Sequence, residues 1–486
     1  MDNCKYRHIL FLSYKDICYN STSYFEQRIS EELINAGIKV THLNIPKPAK
    51  GLSGTLADTA YMLLKPYFNA DLDAIIDINT TIPCIKYNNG YILNNFDIPV
   101  WHYILDHPLY HYKALKVQLN NYNVICLDTF HAKLIRESFP HIREVKVIPL
   151  SADEYSISNI SKKYCQDNMA DTNSDSSYNT LSYHKCSKRA VKLLFTSTYT
   201  DPVKVALLYN KSGLNIQNNN INDKDINDNS TKNTLIKDID NDYLLNALLN
   251  NPSFTQEKAV QYLRSLNILD NSSSTIQYLH NNFLIDVYLQ CIIREEIVST
   301  IIKNRIPITI YGHGWDAFVD KCDILIPEYT KYLDIRKEVT YNRLPAIYSN
   351  ARLSLNQMPW FKGGMHDRIP LALMNGCLSL TDASTYLTDV LNICENEGVY
   401  TYSLENIEAV PDIIMDILNN TADDNCVPEI INSLSDKDCV LENINSLSDN
   451  ARAYAHKHFS WKCWVDKFRS EERRVGKECH SWCCCG

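Results

Sequence analysis

Short apolar runs alternate with amphipathic stretches along the first third of the chain. The runs have strand length, and the stretches between them carry apolar residues at helical spacing. Near-continuous apolar strands separated by helices predict a parallel sheet covered on both faces, here one doubly wound domain over residues 1–152. The predicted strands lie at 7–13, 38–45, 72–78, 99–105, 123–129 and 145–151, and the predicted helices at 21–36, 55–68 and 131–137.

The same alternation restarts after a polar interval. Residues 153–188 are rich in Ser, Asn, Asp and Tyr, which predicts a surface insertion between two domains. A buried strand at 190–199 opens the second domain, predicted over 189–450, and the fold class is therefore α/β with two Rossmann-like domains. Its further predicted elements are helices at 243–249, 255–266, 274–303 and 410–418, a strand at 308–315, and a helix followed by a strand within 344–356.

Three other segments are set apart by composition. The Asn/Asp tract at 218–233 lies within a second low-complexity insertion, about 210–240, which cannot bury enough apolar area to offset chain entropy and is predicted to be disordered. Residues 451–468 form an amphipathic, aromatic-rich final helix. Residues 469–486 resemble the translation of a sequencing adapter, so we treat them as an artefact and expect the native chain to continue past Phe468.

Composition narrows the class of protein. The hydrophobic fraction of 45% is that of a globular chain, and the net charge of −9 gives no reason to expect a nucleic-acid partner. No stretch has the roughly 20 apolar residues of a membrane span, and the N-terminal apolar run lacks the features of a signal peptide. The 17 cysteines are scattered through predicted elements, which suits reduced thiols, so we expect a cytoplasmic location.

The segment 358–386 carries the most specific chemistry. Gly363 and Gly364 precede a predicted helix that has Asp367 as its N-cap, Pro370 in its first turn and Asn375-Gly376 as a left-handed end. A short strand follows, with Thr381-Asp382 at its carboxyl end. Helix N-termini and the carboxyl ends of parallel strands favour anions, so Arg368 here predicts a diphosphate site. The alternative is a tight connection with a surface arginine.

This segment resembles the last donor-site segment of GT-B glycosyltransferases, particularly the group 1 family and the CgeB-type spore-maturation proteins. Their approximate pattern is G-x-H-x-R, then A-M-x-N-G, then L-T-D. The matching residues here are Gly364, His366, Arg368, Ala372, Asn375, Gly376, Thr381 and Asp382. One position departs from the pattern: many group 1 relatives carry a ribose-binding Glu where this chain has Leu371.

The resemblance implies two domains facing across a cleft, with the final helix crossing back onto the first domain. It implies that Arg368 neutralises a departing diphosphate, that His366 contacts the sugar or phosphate, and that Asp382 orients donor hydroxyls. It also implies no catalytic metal and no cofactor, since the nucleotide-diphosphate sugar is the substrate. Asp367, Gly364 and Thr381 belong to the same predicted donor site.

A second predicted donor contact is the turn Gly312-His313-Gly314-Trp315, which follows a strand and resembles a G-x-G-W turn of similar proteins. Two glycines let the backbone approach a ligand closely. The alternative is a strand-to-helix turn with a core tryptophan.

Asp106 and His107 stand at a predicted strand end of the first domain and are the candidates for a general base or an orienting pair. His102, His107 and His111 raise the possibility of a metal site, but their spacing is irregular, and we expect none. Arg294 lies in an Arg–Glu run of the kind found on solvated helix faces, so it is assigned no role. Further candidates for cleft contacts, with N-capping as the alternative for the first three, are Asn20, Ser21, Thr22, Asp77, Asn79, Thr80, Ser197, Thr198 and Asp201.

These observations favour a metal-independent, hexosyltransferase-like enzyme that moves a sugar from a nucleotide-diphosphate donor to a glycan, cell-surface or protein acceptor. Two alternatives remain open. One is a catalytically inactive GT-B-like binding or coat-assembly protein, which Leu371 supports. The other is a related enzyme such as a sugar-nucleotide epimerase.

Overall fold

The computed structural model describes residues 6–14, 19–46, 56–155, 189–212, 242–359, 361–419 and 434–470. Most of the predicted linker 153–188 and of the predicted disordered insertion lies outside the described residues. The same holds for the predicted adapter-derived segment from residue 471 onward.

A six-stranded parallel sheet forms the first domain. Apart from the edge strand β2, which has no buried residue, its strands are largely buried, as the sequence pattern predicts, and helices cover them. The strands are β1 His8–Ser13, β2 Lys39–Asn44, β3 Ala74–Ile78, β6 Val100–Tyr103, β7 Tyr122–Cys126 and β8 Glu144–Val147, with a small hairpin, β4 Lys86–Tyr87 and β5 Gly90–Tyr91, outside the sheet. The helices are α1 Ser21–Asn35, α2 Leu56–Leu64, α3 Tyr112–Leu115 and α4 Thr129–Ser138.

A second six-stranded parallel sheet forms the other domain. Its strands are β9 Val191–Thr196, β10 Ile308–Tyr311, β11 Leu333–Arg336, β12 Ala351–Leu355, β13 Leu378–Asp382 and β14 Val399–Tyr402. The helices that precede β13 are α5 Pro202–Ser212, α6 Tyr243–Leu249, α7 Gln256–Ser265, α8 Thr275–Asn281, α9 Phe283–Lys303, α10 Trp315–Leu325, α11 Leu344–Ser349 and α12 Arg368–Met374. Three more helices follow the last strand: α13 Val410–Asn419, α14 Leu434–His458 and α15 Trp461–Arg469.

Strand order locates the places where ligands can bind. The second sheet runs β11-β10-β9-β12-β13-β14, so the chain reverses direction across the sheet between β9 and β12. The first runs β2-β1-β3-β6-β7-β8 and reverses between β1 and β3. In open α/β sheets the crevice outside the carboxyl ends of the strands at such a reversal receives ligands. The predicted fold class, two Rossmann-like domains of the GT-B kind, is confirmed.

Several elements differ from the sequence-based predictions. The predicted helix 274–303 is two helices, because Asn282 ends α8 and begins α9. The strands β11 and β14 and the helix α10 were not predicted; β11 alternates exposed and half-buried residues and is an edge strand, which gives a weak apolar signal. In the part of the chain that the structure describes, no helix combines the length and hydropathy needed to cross a bilayer.

The chain crosses back to the first domain near its end, as a GT-B arrangement requires. The predicted single helix 451–468 is broken, because Ser460 leaves the helical path and its hydroxyl caps α15 by accepting from Cys463 N at 3.3 Å. The break lets Ala152 N donate to the Phe459 carbonyl at 3.1 Å. Helix α14 then packs on α12, whereas α15 packs on α1.

Aromatic packing fixes α15 to the first domain. The Trp464 indole N–H donates to the Tyr103 hydroxyl at 3.2 Å, and the Phe468 ring stacks on Tyr6 with a centroid distance of 5.4 Å. Lys146 Nζ donates to the carbonyl oxygens of Phe468 and Ser470 at 2.8 and 2.9 Å. Because Trp464 is 1% exposed, this contact buries a large apolar area and fastens α15 to the first domain.

We predict that Trp464→Ala lowers the free energy of unfolding by about 3–5 kcal/mol, since it empties a packed aromatic site and removes one of the hydrogen bonds of the buried Tyr103 hydroxyl. Urea denaturation at neutral pH measures this. The control is Lys462→Ala on the exposed face of α15, where loss of an i,i+4 ion pair costs about 0.5 kcal/mol or less. Equal effects of the two substitutions would contradict the docking role of α15.

Candidate functional site

A cavity of about 270 Å³ lies between the domains, next to the chain reversals of both sheets. We call it the interdomain cavity. The first domain contributes residues after β1, β3, β6 and β7, and the second contributes residues after β9, β10 and β11 and the start of α12. Among its lining residues are Ser21, Thr22, Asn79, Asp106, Leu127, Ser197, Thr198, Gly312, Glu338, Phe361, His366, Asp367 and Arg368.

The two glycines before α12 serve close packing between the domains. Gly363 N donates to Asp128 Oδ2 at 2.8 Å, and Thr129 N donates to the Gly363 carbonyl at 2.9 Å. A Cβ atom on Gly363 would lie 2.3 Å from Thr129 Oγ1, and one on Gly364 would lie 2.4 Å from the Leu127 carbonyl. The glycines therefore let two backbones touch. Gly364 itself does not line the interdomain cavity.

Arg368 is the first residue of α12 and lines the cavity, half-buried. Its Nη1 donates to Asn356 Oδ1 at 3.2 Å, and Asn356 Nδ2 in turn donates to Thr381 Oγ1 at 2.8 Å. Asn356 follows β12 directly, so the guanidinium lies at the chain reversal of the second sheet. Thr381 does not line this cavity. Thr381 instead accepts a hydrogen bond from the Asn356 amide, which in turn accepts one from Arg368.

Arg294 is a candidate that sequence reasoning missed. It lies on α9, and its Nη1 donates at 2.5 Å to the carbonyl of Thr198, a cavity-lining residue just after β9. Burial and the nearby positive charge of Arg368 lower the pKa of Arg294 to about 10. Within the described residues, neither arginine has a carboxylate at ion-pair distance. Arg368 lines the cavity and interacts electrostatically with the neighbouring Asp367, whereas Arg294 does not itself line the cavity. Two neighbouring guanidinium groups, neither of them in a direct ion pair within the described part of the chain, are suited to a multiply charged anion.

The His366 ring contacts the Asp367 carboxylate beside Arg368, through His366 Nδ1 and Asp367 Oδ1. Burial opposes ionisation of Asp367, but His366 and Arg368 outweigh it and lower its pKa to about 2. Asp367 stands at the N-cap position as predicted, but its side chain makes no capping bond. The helix does end as predicted, with Gly376 in the left-handed region at φ 61°.

Asp106 faces this cluster from the first domain. Its carboxylate is 58% exposed, accepts from Asn79 Nδ2 at 3.1 Å and lies 3.7 Å from His111 Nε2. Enclosure in the cavity favours its neutral form, but the proximity of His111 and the Asn79 hydrogen bond keep its pKa below the ordinary value. Ser21 and Thr22 line the same wall at the start of α1, where Asn20 makes no side-chain capping bond.

His107, by contrast, does not line the cavity. Its Nδ1 accepts from Leu109 N at 3.2 Å, and its Nε2 donates to Glu257 Oε1 at 2.9 Å. Both ring nitrogens are therefore engaged in a contact between the first domain and α7. His102 pairs with Asp77 and is fully buried. Each of the three histidines thus has its own carboxylate partner, and they do not converge on one point.

The Gly312–Trp315 turn packs tightly on the end of β9. A Cβ atom on Gly312 would lie 1.8 Å from the Ser197 carbonyl, and Gly314 has φ 84°. Trp315 is fully buried, and its indole N–H donates to the Ser197 carbonyl at 2.6 Å. His313 is exposed, 3.7 Å from Glu338. Of the four residues only Gly312 lines the interdomain cavity.

Asp382 lies away from the interdomain cavity. It is fully buried at the end of β13, where Oδ1 accepts from Met358 N at 2.6 Å, and it lines a second, larger cavity. The structure therefore brings together Asp106, Gly312, His366, Asp367 and Arg368 from the predicted set. It places His107, His313, Gly314, Trp315, Gly364, Thr381 and Asp382 outside the interdomain cavity.

Comparison with known proteins finds similar solved structures at low sequence identity. No protein-family model matches the chain, and no curated protein sequence is significantly similar to it. A sucrose-phosphate synthase from Thermosynechococcus elongatus is similar in structure at 10% identity and a TM-score of 0.49, covering 95% of this chain and 97% of that one. Anabaena HepE in complex with UDP and glucose has 11% identity and a TM-score of 0.47, with 95% and 98% covered.

A glycosyltransferase from Rickettsia africae ESF-5 has 10% identity and a TM-score of 0.44, with 95% of this chain and 96% of that chain covered. At such low identities and TM-scores, the likenesses carry no argument about function. The strand order of this chain supports the fold assignment independently.

The His107–Glu257 contact predicts a pH dependence of stability. Burial opposes ionisation of Glu257, but His107 outweighs it and lowers the pKa of Glu257 from 4.5 to about 2. The ionised carboxylate therefore stabilises the fold above about pH 4.5, and this contribution is lost as the pH falls toward 2. We expect Glu257→Gln to flatten the acid limb of a plot of unfolding free energy against pH.

Urea denaturation at a series of values between about pH 6 and about pH 3 measures the slope of the unfolding free energy against pH. The exposed residue Glu328 provides the matched control, since Glu328→Gln removes the same charge without removing the His107 contact. A wild-type slope in Glu257→Gln would show that this pair does not contribute to the acid sensitivity.

Proposed function

We propose that the protein is a glycosyltransferase that binds a nucleotide-diphosphate sugar in the interdomain cavity and transfers the sugar to an acceptor. The observation that carries the proposal is the Arg368 guanidinium on the wall of the cavity, with that of Arg294 near it at the reversal of the second sheet; neither has a direct carboxylate ion pair among the described residues. A diphosphate would place negative charge beside these two cations.

The proposed chemistry follows from where charge develops. As the bond from the sugar to the diphosphate breaks, negative charge builds up on the leaving oxygen. Fixed cations stabilise that charge more in the transition state than in the ground state. The Asn356–Thr381 hydrogen bond orients the Arg368 guanidinium in advance, so little reorganisation is needed during the reaction. His366, paired with Asp367, lies beside the same site and suits contact with the sugar or phosphate.

Asp106 is the proposed general base for the acceptor hydroxyl. It faces the arginine side of the cavity from the other domain, and its lowered pKa keeps it ionised at neutral pH. An ionised, exposed carboxylate can accept a proton from a hydroxyl as the hydroxyl attacks. His107, with both nitrogens engaged, is less suited to this role.

The size of the cavity bears on how substrate enters. About 270 Å³ is near the lower end of the roughly 300–1,000 Å³ typical of small-molecule sites. We infer that the domains separate to admit the whole donor and close to exclude water. The contacts that would open include those of Gly363 with Asp128 and of Tyr341 N with the Tyr19 carbonyl, at 3.1 Å.

A second candidate is a nucleotide-sugar-binding protein without transfer activity. Leu371 is fully buried in the core of the second domain, so the position where many relatives hold the donor ribose offers no carboxylate. Binding of a nucleotide sugar without turnover against any acceptor or water would favour this candidate. The CgeB-type resemblance, the sugar transferred, the acceptor and the cytoplasmic location remain predictions from the sequence.

We predict that Arg368→Gln weakens binding of inorganic pyrophosphate at least tenfold and lowers kcat/KM for transfer about 100-fold or more, because a fixed cation is lost from the leaving group. Calorimetry with pyrophosphate and a panel of UDP-, GDP-, ADP- and dTDP-sugars identifies the donor for the rate measurement. Arg305→Gln is the control, because Arg305 is exposed and precedes β10 at the opposite edge of the sheet. Wild-type affinity in Arg368→Gln would overturn the diphosphate role.

For Asp106→Asn we predict a fall in kcat of about 100-fold or more with little change in donor affinity, since the isosteric amide cannot take a proton. Asp97→Asn is the control, because the exposed Asp97 precedes β6 whereas Asp106 follows the same strand. Steady-state kinetics and calorimetry separate the two effects. An unchanged kcat would remove Asp106 from the chemistry and leave the diphosphate site unaffected.

A further inference from the structure

A larger cavity, of about 1010 Å³, lies beside the interdomain cavity, and we call it the lateral cavity. The first domain contributes the exposed face of α4, and the second contributes α7, the start of α8 and the loops after β13 and β14. Its volume is at the upper end of the range of about 300–1,000 Å³ for ligand sites. Nothing in the proposed diphosphate chemistry uses it.

A buried carboxylate stands at the wall of the lateral cavity. Asp382 is fully buried, and its Oδ2 has no hydrogen-bond partner among the described residues. Lys362 Nζ forms an ion pair with this oxygen at 3.5 Å, which is long for a hydrogen bond. A buried carboxylate oxygen with only this long contact is incompletely satisfied, so a ligand that donates a hydrogen bond there would be favoured.

The rest of the lining indicates the class of ligand. Ten of the 24 lining residues are serine or threonine. The charged side chains nearly cancel, with Lys133, Lys258 and Lys362 set against Glu137, Glu257, Glu405 and Asp382. A lining with many hydroxyl side chains and almost no net charge disfavours phosphates and other polyanions and favours a ligand with many hydroxyl groups. Phe130, 38% exposed, adds an apolar face of the kind that can pack against the C–H face of a sugar ring.

We propose that the lateral cavity binds a neutral oligosaccharide, with a sugar hydroxyl donating to Asp382 Oδ2 and a sugar ring packed on Phe130. The binding itself is independent of the proposed function. Its interpretation as the acceptor site rests on that function. This assignment gives Asp382 a role toward the acceptor in place of the donor contact that the sequence resemblance implied.

The position of the lateral cavity supports this interpretation. Leu127 and Phe361 line the interdomain cavity, whereas Phe130 and Lys362, close to them in the chain, line the lateral cavity. The two cavities therefore adjoin at the segments joined by the Gly363–Asp128 hydrogen bond. An oligosaccharide in the lateral cavity would have its end next to the proposed donor site.

Saturation-transfer NMR and calorimetry with the full-length protein test the proposal. The probes are neutral tetrasaccharides of glucose, galactose, mannose and N-acetylglucosamine, with a sulfated tetrasaccharide as the anionic counterpart. We expect at least one neutral probe to bind. Its Kd should rise about tenfold or more in Asp382→Asn, through loss of a charge-assisted hydrogen bond, and several-fold in Phe130→Ala.

Asp320→Asn, on the exposed face of α10, is the matched control and should bind as wild type does. Phe130 is exposed enough for Phe130→Ala to fold even if Asp382→Asn does not, and thermal melts report this. Binding of no neutral probe, binding of the sulfated probe alone, or unchanged affinity in folded Phe130→Ala would each overturn the proposal. Pyrophosphate calorimetry on the same wild-type sample reports separately on the proposed function, so either proposal can fail alone.

Discussion

The site depends on one buried carboxylate that belongs to the first domain and holds the second. Asp128 Oδ1 accepts from Phe130 N at 2.6 Å and His131 N at 3.1 Å and so begins α4, while Oδ2 accepts from Gly363 N. Because the residue is fully buried, its charge needs all three donors. The contact fixes the loop before α12 against the loop after β7. The interdomain cavity lies on one side of this junction and the lateral cavity on the other, so the Asp128–Gly363 contact helps to shape both.

Two positively charged side chains lie close together at the second sheet and repel each other. Arg294 and Arg368 repel each other, which together with burial lowers the pKa of Arg294 to about 10. Hydrogen bonds to the Thr198 carbonyl and to Asn356 keep the two groups in place nevertheless. An arrangement of this sort costs stability in the empty protein and returns it when an anion binds, which is the usual relation between stability and function at a binding site.

The buried histidine–carboxylate pairs of the first domain stabilise the fold and do not form part of the proposed diphosphate site. The pairs His102–Asp77 and His107–Glu257 place each histidine against a single carboxylate, and both lie outside the interdomain cavity. Asp106 is the exception, since its carboxylate is open to the cavity while His111 lies behind it. Solvent exposure therefore distinguishes Asp106, which can act as a base, from Asp77 and Glu257, which stabilise the fold. Sequence proximity alone does not make that distinction, since Asp106 and His107 are neighbours.

The sequence by itself determined the two parallel sheets, most strand positions, the left-handed end of α12 at Gly376, and Arg368 as a charge at a helix start. These are local features, because apolar periodicity and turn chemistry act over a few residues. Tertiary structure decided which of the candidates meet. Arg294 was indistinguishable from a solvated helix residue until the fold brought its guanidinium to the Thr198 carbonyl, just after β9. Asp382 faces the lateral cavity because β13 ends one strand beyond the reversal. The two glycines before α12 allow close packing against the loop that contains Asp128, more than 200 residues away in the chain, and this contact is visible only in the tertiary structure. Such pairings are fixed by packing between the domains, which no local pattern encodes.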